Sequence, residues 1–184
     1  PKTFSPLKLG KFELKNRLVV PAMDSAMCED AGSIGQMAWD YYGHRAQGGY
    51  SMVITEIAAI DERGMGMPGQ PRLYDDAYLP GMTKLAEAIH DGGAVAIVQL
   101  HHAGRETLKA MIGETPYSPS VLPSPVYREE LHEMSTQEVH DMVQSYIDSA
   151  KRVQLAGFDG VEFHRAYSTA AWSKASEKPV VMIL

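Results

Sequence analysis

Three short stretches of this chain place side chains that could do chemistry together. Gln99-Leu100-His101-His102 closes one apolar run, Glu162-Phe163-His164 closes another, and Pro21-Ala22-Met23-Asp24 closes a third. A glutamine offers a donor and an acceptor side by side, suited to the edge of a polar ring. An imidazole can hydrogen-bond a carbonyl oxygen and draw charge toward it. Glu56 lies near the end of a fourth apolar run. Polar groups repeated at the ends of successive apolar runs predict one shared mouth. His101 and His102 are adjacent but lack a third ligand at metal spacing, so no metal site is expected. Cys28 is the sole cysteine and has nothing cationic beside it in sequence, so it is expected to be an unreactive thiol in a reducing compartment.

The elements that must position these groups alternate in type. RLVVPAM (17–23) reads as a strand, and the next segment places Met37, Ala38, Tyr41, Tyr42 and Arg45 at helical spacing. YSMVITEIAAI (50–60) is nearly continuous in hydrophobicity, as a parallel strand covered on both faces should be. A helix with Pro80 in its first turn, a stripe of Met82, Leu85, Ala86 and Ile89, and a stop at Gly92-Gly93 is predicted next. AVAIVQL (94–100) makes a third buried strand, followed by a connection too long to be a simple link. Ser135 and Glu138 form a capping box for a helix whose apolar stripe runs from Val139 through Met142, Val143, Tyr146, Ile147 and Ala150 to Val153. Phe158 to His164 is the fourth strand.

This order predicts an α/β fold with parallel strands, and two architectures compete for it. A doubly wound sheet would bind at a glycine-rich turn opening a helix, and Gly64, Gly66 and Gly69 fit that spacing. Pro68 and Pro71 break any helix there, so the match is coincidental. Polar residues at the C-terminal ends of many strands favour a (β/α)8 TIM-barrel type. A complete barrel takes roughly 250 residues, so a chain of 184 is expected to hold only about the first four to five strands as one partial domain.

Composition narrows the partners. Seventeen Lys and Arg are scattered against 23 Asp and Glu, giving a net charge of −6, which argues against nucleic acid and for a small organic substrate. No run approaches the ~18 apolar residues of a membrane span, and the first ten residues lack the apolar core of a signal peptide. A cytoplasmic location is expected. No strand-end lysine suits Schiff-base chemistry; Lys109 and Lys174 fall in loop or tail.

NRLVVPAM, QLHHAGR and MSTQEVHDMVQSYIDSAKRVQLAGFDGVEFH, in that order, resemble the N-terminal half of the old yellow enzyme family of FMN-dependent oxidoreductases, in its 2,4-dienoyl-CoA and 2-enoate reductase branch. The resemblance runs from about residue 6 to 164, leaving 165–184 as a divergent tail. It implies an FMN at the C-terminal mouth, reduced by NADH or NADPH and reducing an activated C=C bond of an enone or enoyl substrate. It further implies that Pro21, Ala22, Met23, Asp24 and Ile57 line the flavin, that Gln99 meets its pyrimidine edge, and that His164 binds the substrate carbonyl. Asp24 stands where the family more often has Thr or Cys, and a carboxylate beside the flavin disfavours its anionic reduced form. Ile57 stands where a smaller residue is usual. Arg105 matches an arginine that the family uses near the flavin.

Beyond His164 the pattern fails. The family motif would continue H-x-A-H-G-Y-L-L, whereas Tyr167 occupies the second carbonyl-binding position and Thr169 that of the proton-donating tyrosine. A threonine hydroxyl is a far poorer acid than a phenol of pKa about 10, which leaves Tyr167 as the candidate donor. KPVVMIL (178–184) is expected to be a fifth strand or a terminal tail. A half barrel exposes raw sheet edges, so a second class of function is a non-catalytic fragment that pairs with another copy as a homo-oligomer and binds little or no flavin.

Overall fold

The computed structural model describes residues 1–29, 32–164 and 180–183. A hairpin opens the chain: β1 (Leu7–Leu9) and β2 (Phe12–Leu14) pair antiparallel around a turn in which Gly10 adopts φ +56°. The alternating units follow as β3 (Val19–Val20), α1 (Gln36–Gln47), β4 (Met52–Ala59), α2 (Leu79–Asp91) and β5 (Val95–His101). The long connection holds α3 (Lys109–Ile112) and the two-residue strands β6 (Tyr117–Ser118) and β7 (His132–Glu133). Then come α4 (Thr136–Leu155), β8 (Gly160–His164) and β9 (Val180–Ile183).

One sheet organises the molecule, in the order β3-β4-β5-β8-β9. The pairings β3–β4, β4–β5 and β5–β8 are parallel. Its two faces differ because side chains alternate along a strand. On one face Val53, Val98 and Val161 pack against Tyr42, Ala46, Met82, Leu85, Ile89 and Val153 of the three long helices. Full burial of a Leu85 or Ile89 side chain contributes roughly 1.5–3 kcal/mol. On the other face Met52, Ile54 and Ile97 cluster with Leu14, and Leu7 and Phe12 of the hairpin pack against them. The hairpin therefore covers the N-terminal end of the inner face and leaves the C-terminal end for polar residues.

Local physics accounts for the helices. Ser135 Oγ accepts from the Glu138 backbone N–H, and the Glu138 carboxylate accepts from that of Ser135 at 2.7 Å, completing the capping box. Asp75 caps the turn before α2, and Gly93 leaves the helix at φ +73°. In α1 the buried stripe is Ala38, Tyr42 and Ala46, while Met37 is 67% exposed, so the helix is turned from the expected stripe by one residue.

Two further expectations are corrected, the length of the first strand and the apolar stripe of α4. The strand over 17–23 is only Val19–Val20, because Pro21 has no N–H to continue the ladder to β4. A fifth strand exists, but β9 runs antiparallel along β8, from Gly160↔Ile183 to Phe163↔Val180, so it does not continue the parallel series. On α4, Val143 and Ile147 of the expected apolar stripe are 47% and 45% exposed beside Phe163.

Candidate active site

The site is built from layers set by strand register. Ile54, Ile97 and Gly160 share one level across β4, β5 and β8. Ile57, Gln99 and Glu162 form the next, and Ala59, His101 and His164 the level at the strand tips. Because Ile97 belongs to the inner cluster, Gln99 and His101 point to the same face. The step from Ile54 to Ile57 contains a β-bulge: Thr55 and Glu56 together oppose Val98 alone. An aliphatic inner face thus gives way, within two residues, to a polar mouth.

Gln99 and Glu162 are in direct register, and Gln99 Nε2 donates to Glu162 Oε1 at 2.6 Å. Both residues are 7% exposed. At the next level the rings of His101 and His164 lie 5.1 Å apart between centroids, tilted by 51°. His164 is half-buried, and burial holds its imidazole below the ordinary range, with Asp24 and Glu162 pulling the other way. Burial likewise raises the Asp24 carboxyl, opposed by the charge of His164 and the Ile57 backbone N–H. His101 is pushed down to about 3 by burial and by the proximity of His164 and His102. The Gly66 N–H donates to Gln70 Oε1 at 2.8 Å, which turns Gln70 Nε2 toward His101 Nδ1 at 3.3 Å. Nδ1 therefore accepts, and the neutral ring is assigned its proton on Nε2.

The bulge gives Glu56 a part that local sequence pattern did not reveal. Its carboxylate, 1% exposed, accepts from Ser25 Oγ at 2.6 Å and from the backbone N–H groups of Ser25 and Ala26 at 3.0 Å each. This anchors the segment after Asp24, where Ala26 adopts the left-handed φ +52°. The Glu56 N–H donates to Tyr42 Oη at 2.9 Å, tying the bulge to α1. The signal was present as an acid inside an otherwise apolar strand, since a buried carboxylate requires donors.

The structure brings most of the expected residues together. Ala22 packs on the inner cluster, Pro21, Met23 and Asp24 lie exposed at the tip of β3, and Ile57, Gln99 and His164 occupy adjoining strands. Tyr167 and Thr169 lie outside the described residues. Arg105 pairs with Glu106 at 3.3 Å and donates to the Leu122 carbonyl, so here it serves the long connection. His102 is fully enclosed, with Nδ1 accepting from the Gly104 N–H at 3.0 Å and its pKa pushed down to about 4, chiefly by burial. The Cys28 thiol is pushed up to about 12, first by burial and then by Glu56. Among the described residues no group of three His, Cys, Asp or Glu is arranged to hold a metal ion, and no helix is long and apolar enough to cross a membrane.

Comparison with known proteins supplies a context for this geometry. The sequence matches the NADH:flavin oxidoreductase / NADH oxidase family over residues 2–168. It is 37% identical over 169 residues to an NADH oxidase of Thermoanaerobacter brockii, covering 91% of this chain and 26% of that protein. Morphinone reductase in complex with tetrahydroNAD superposes with a TM-score of 0.84 at 28% identity, covering 90% of this chain and 49% of that one. The old yellow enzyme homologue from Zymomonas mobilis shares the fold, with a TM-score of 0.86 at 24% identity, covering 96% of this chain and 52% of that one. The chain spans between about a quarter and a half of these relatives, and its parallel strands are the opening part of their TIM barrel. This chain belongs to the NADH:flavin oxidoreductase / NADH oxidase family.

Proposed function

We propose that this chain supplies the first half of an FMN site in an NAD(P)H-dependent ene-reductase, together with the histidine that binds the substrate carbonyl. One observation carries the reading: Gln99 and His164 stand on adjacent strands, on the same inner face, one level apart at the same end of the sheet. The donor set fits a flavin. Once Gln99 has given one N–H to Glu162, it keeps an acceptor and a second donor, the complement of a ring edge carrying N–H and C=O. Bound FMN would supply hydride transfer from NADH or NADPH to an activated C=C bond.

The chain's own residues do the rest. Burial favours a neutral His164, which can donate through a ring N–H to a carbonyl oxygen and stabilise the charge that builds there. His101 packs against it at 5.1 Å as a second neutral ring. Glu56 holds the 24–26 segment so that Asp24 stays beside His164. Tyr167 is the proposed proton donor to the α-carbon. An enone or enoyl compound is the proposed substrate.

A second reading draws on β9. It lies antiparallel where the next parallel strand of a barrel would add, so the edge of β8 is already taken. This suits a non-catalytic fragment that binds little flavin. Titration of the purified chain with FMN, followed by anaerobic NADH or NADPH, separates the two. Uptake of FMN and bleaching of its absorbance support the ene-reductase reading, and failure to take up FMN leaves the fragment.

A further inference from the structure

The bond between Gln99 and Glu162 decides more than the packing of two polar groups. An amide side chain can present either its oxygen or its nitrogen to a neighbour, and both ends are similar in size. An ionised carboxylate has only acceptors, so an amide oxygen turned toward Glu162 would oppose acceptor to acceptor at the 2.6 Å seen here. Direct register on neighbouring parallel strands leaves little room for either side chain to swing away, and both are buried at 7% exposure. The nitrogen of Gln99 is therefore held on the Glu162 side. One N–H is consumed, and the carbonyl oxygen and the other N–H keep a set order.

We propose that Glu162 is the positioning residue of the flavin site: it sets which end of the Gln99 amide accepts and which donates, and so which ring edge the site recognises. This rests on the flavin reading given above. The ligand class follows from the amide's two free valences: a heterocycle with an N–H donor directly beside a C=O acceptor, as in a lactam or cyclic imide. A ring with the same outline but no such N–H would leave the Gln99 oxygen without a donor.

The test uses the full chain, FMN as the probe, and two substitutions. Glu162→Gln replaces an acceptor-only carboxylate by an amide that can accept or donate, so the order of the Gln99 amide is no longer enforced and FMN affinity should fall by about threefold or more. Glu162→Leu removes the acceptor and should weaken FMN at least tenfold by fluorescence titration. Thermal melts verify that each variant is folded. A flavin-independent readout accompanies this: the Gln99 side-chain NH2 pair in a 15N-labelled sample, assigned by its loss in Gln99→Leu. One proton of the pair should lie well downfield in the wild type, move upfield in Glu162→Gln and move further upfield in Glu162→Leu. Wild-type protein that takes up no FMN removes the flavin reading and this inference together. Wild-type protein that binds FMN, alongside a folded Glu162→Leu that binds it equally well, removes the inference alone. Undiminished FMN affinity in Glu162→Gln also overturns it, because an amide at that position does not dictate which end of Gln99 accepts.

Discussion

His101 and His164 stand at the same level on neighbouring strands with their rings 5.1 Å apart, and both are held below the ordinary imidazole range by burial. Neither ring favours a positive charge here: burial disfavours it at both, and at His101 the neighbouring His164 opposes it further. That suits the proposed role of His164, which is to polarise a carbonyl by hydrogen bonding while keeping its own protonation state constant.

Replacing His164 by alanine should separate substrate binding from flavin binding. Loss of a donor to a carbonyl costs about 1–3 kcal/mol, so enone affinity should fall roughly fivefold to a hundredfold. FMN affinity should be retained. Perturbation of the flavin absorbance by an added enone measures the first, and quenching of FMN fluorescence the second.

Acid should destabilise the fold through its enclosed histidines. In the unfolded chain these groups protonate near 6.5, whereas folding depresses His101 to about 3 and His102 to about 4. The unfolded state then binds more protons between those limits, so stability is complete above about pH 6.5 and is lost as pH falls toward 4. Each group contributes a slope of up to about 1.4 kcal/mol per pH unit within that window. Urea denaturation at pH 7.5, 6 and 5 should show the decline, and His101→Gln should flatten it.

Glu56→Ala should loosen the tip of β3 without touching the inner layers. It leaves Ser25 Oγ and two backbone N–H groups without their acceptor. The cost should be about 1–2 kcal/mol, less than the penalty for three enclosed donors, because Ser25 is half-buried and Ala26 exposed and water can meet part of the lost bonding. Faster hydrogen exchange at the Ser25 and Ala26 amides, with that of Val98 unchanged, is the expected signature.

Ser135→Ala should cost about 1 kcal/mol by removing the side-chain acceptor from the start of α4. The midpoint of chemical denaturation measures it. Flavin affinity should not change, since the cap lies at the N-terminal end of a helix that ends before β8.

The elements with strong local signals were readable from sequence. The capping box at Ser135 and Glu138 and the stripe of Met82, Leu85, Ala86 and Ile89 describe their helices because both depend on residues within a few turns of each other. The hairpin of β1 and β2 was not anticipated, although Leu7, Leu9, Phe12 and Leu14 alternate on either side of Gly10. Strands of three residues give too short a period to stand out. β6 and β7 are two residues each, and Tyr117 is steadied by the guanidinium of Arg63 stacked 4.4 Å from its ring centroid, a partner 54 positions away. In the site, the strand-end placement of Gln99 and His164 was legible in the order of the apolar runs, whereas Ile57 entered only through the family resemblance. The Glu56 to Ser25 anchor and the Gln99 to Glu162 bond were not legible there, because they arise from register and a bulge between segments 31 and 63 residues apart.

That bulge also gives β4 two phases. Met52 and Ile54 face inward before it, and Ile57 and Ala59 share the inward levels after it, which strict alternation would not allow. Pairing residue for residue without the bulge would turn Ile57 and Ala59 toward the helices and Ala58 under the mouth, whereas deleting Thr55 leaves Glu56 alone opposite Val98 and keeps Ile57 and Ala59 inward. A chimera that takes β4 from an unbulged donor must therefore carry one residue fewer between the positions of Ile54 and Ile57, or every side chain beyond the splice will face the wrong way.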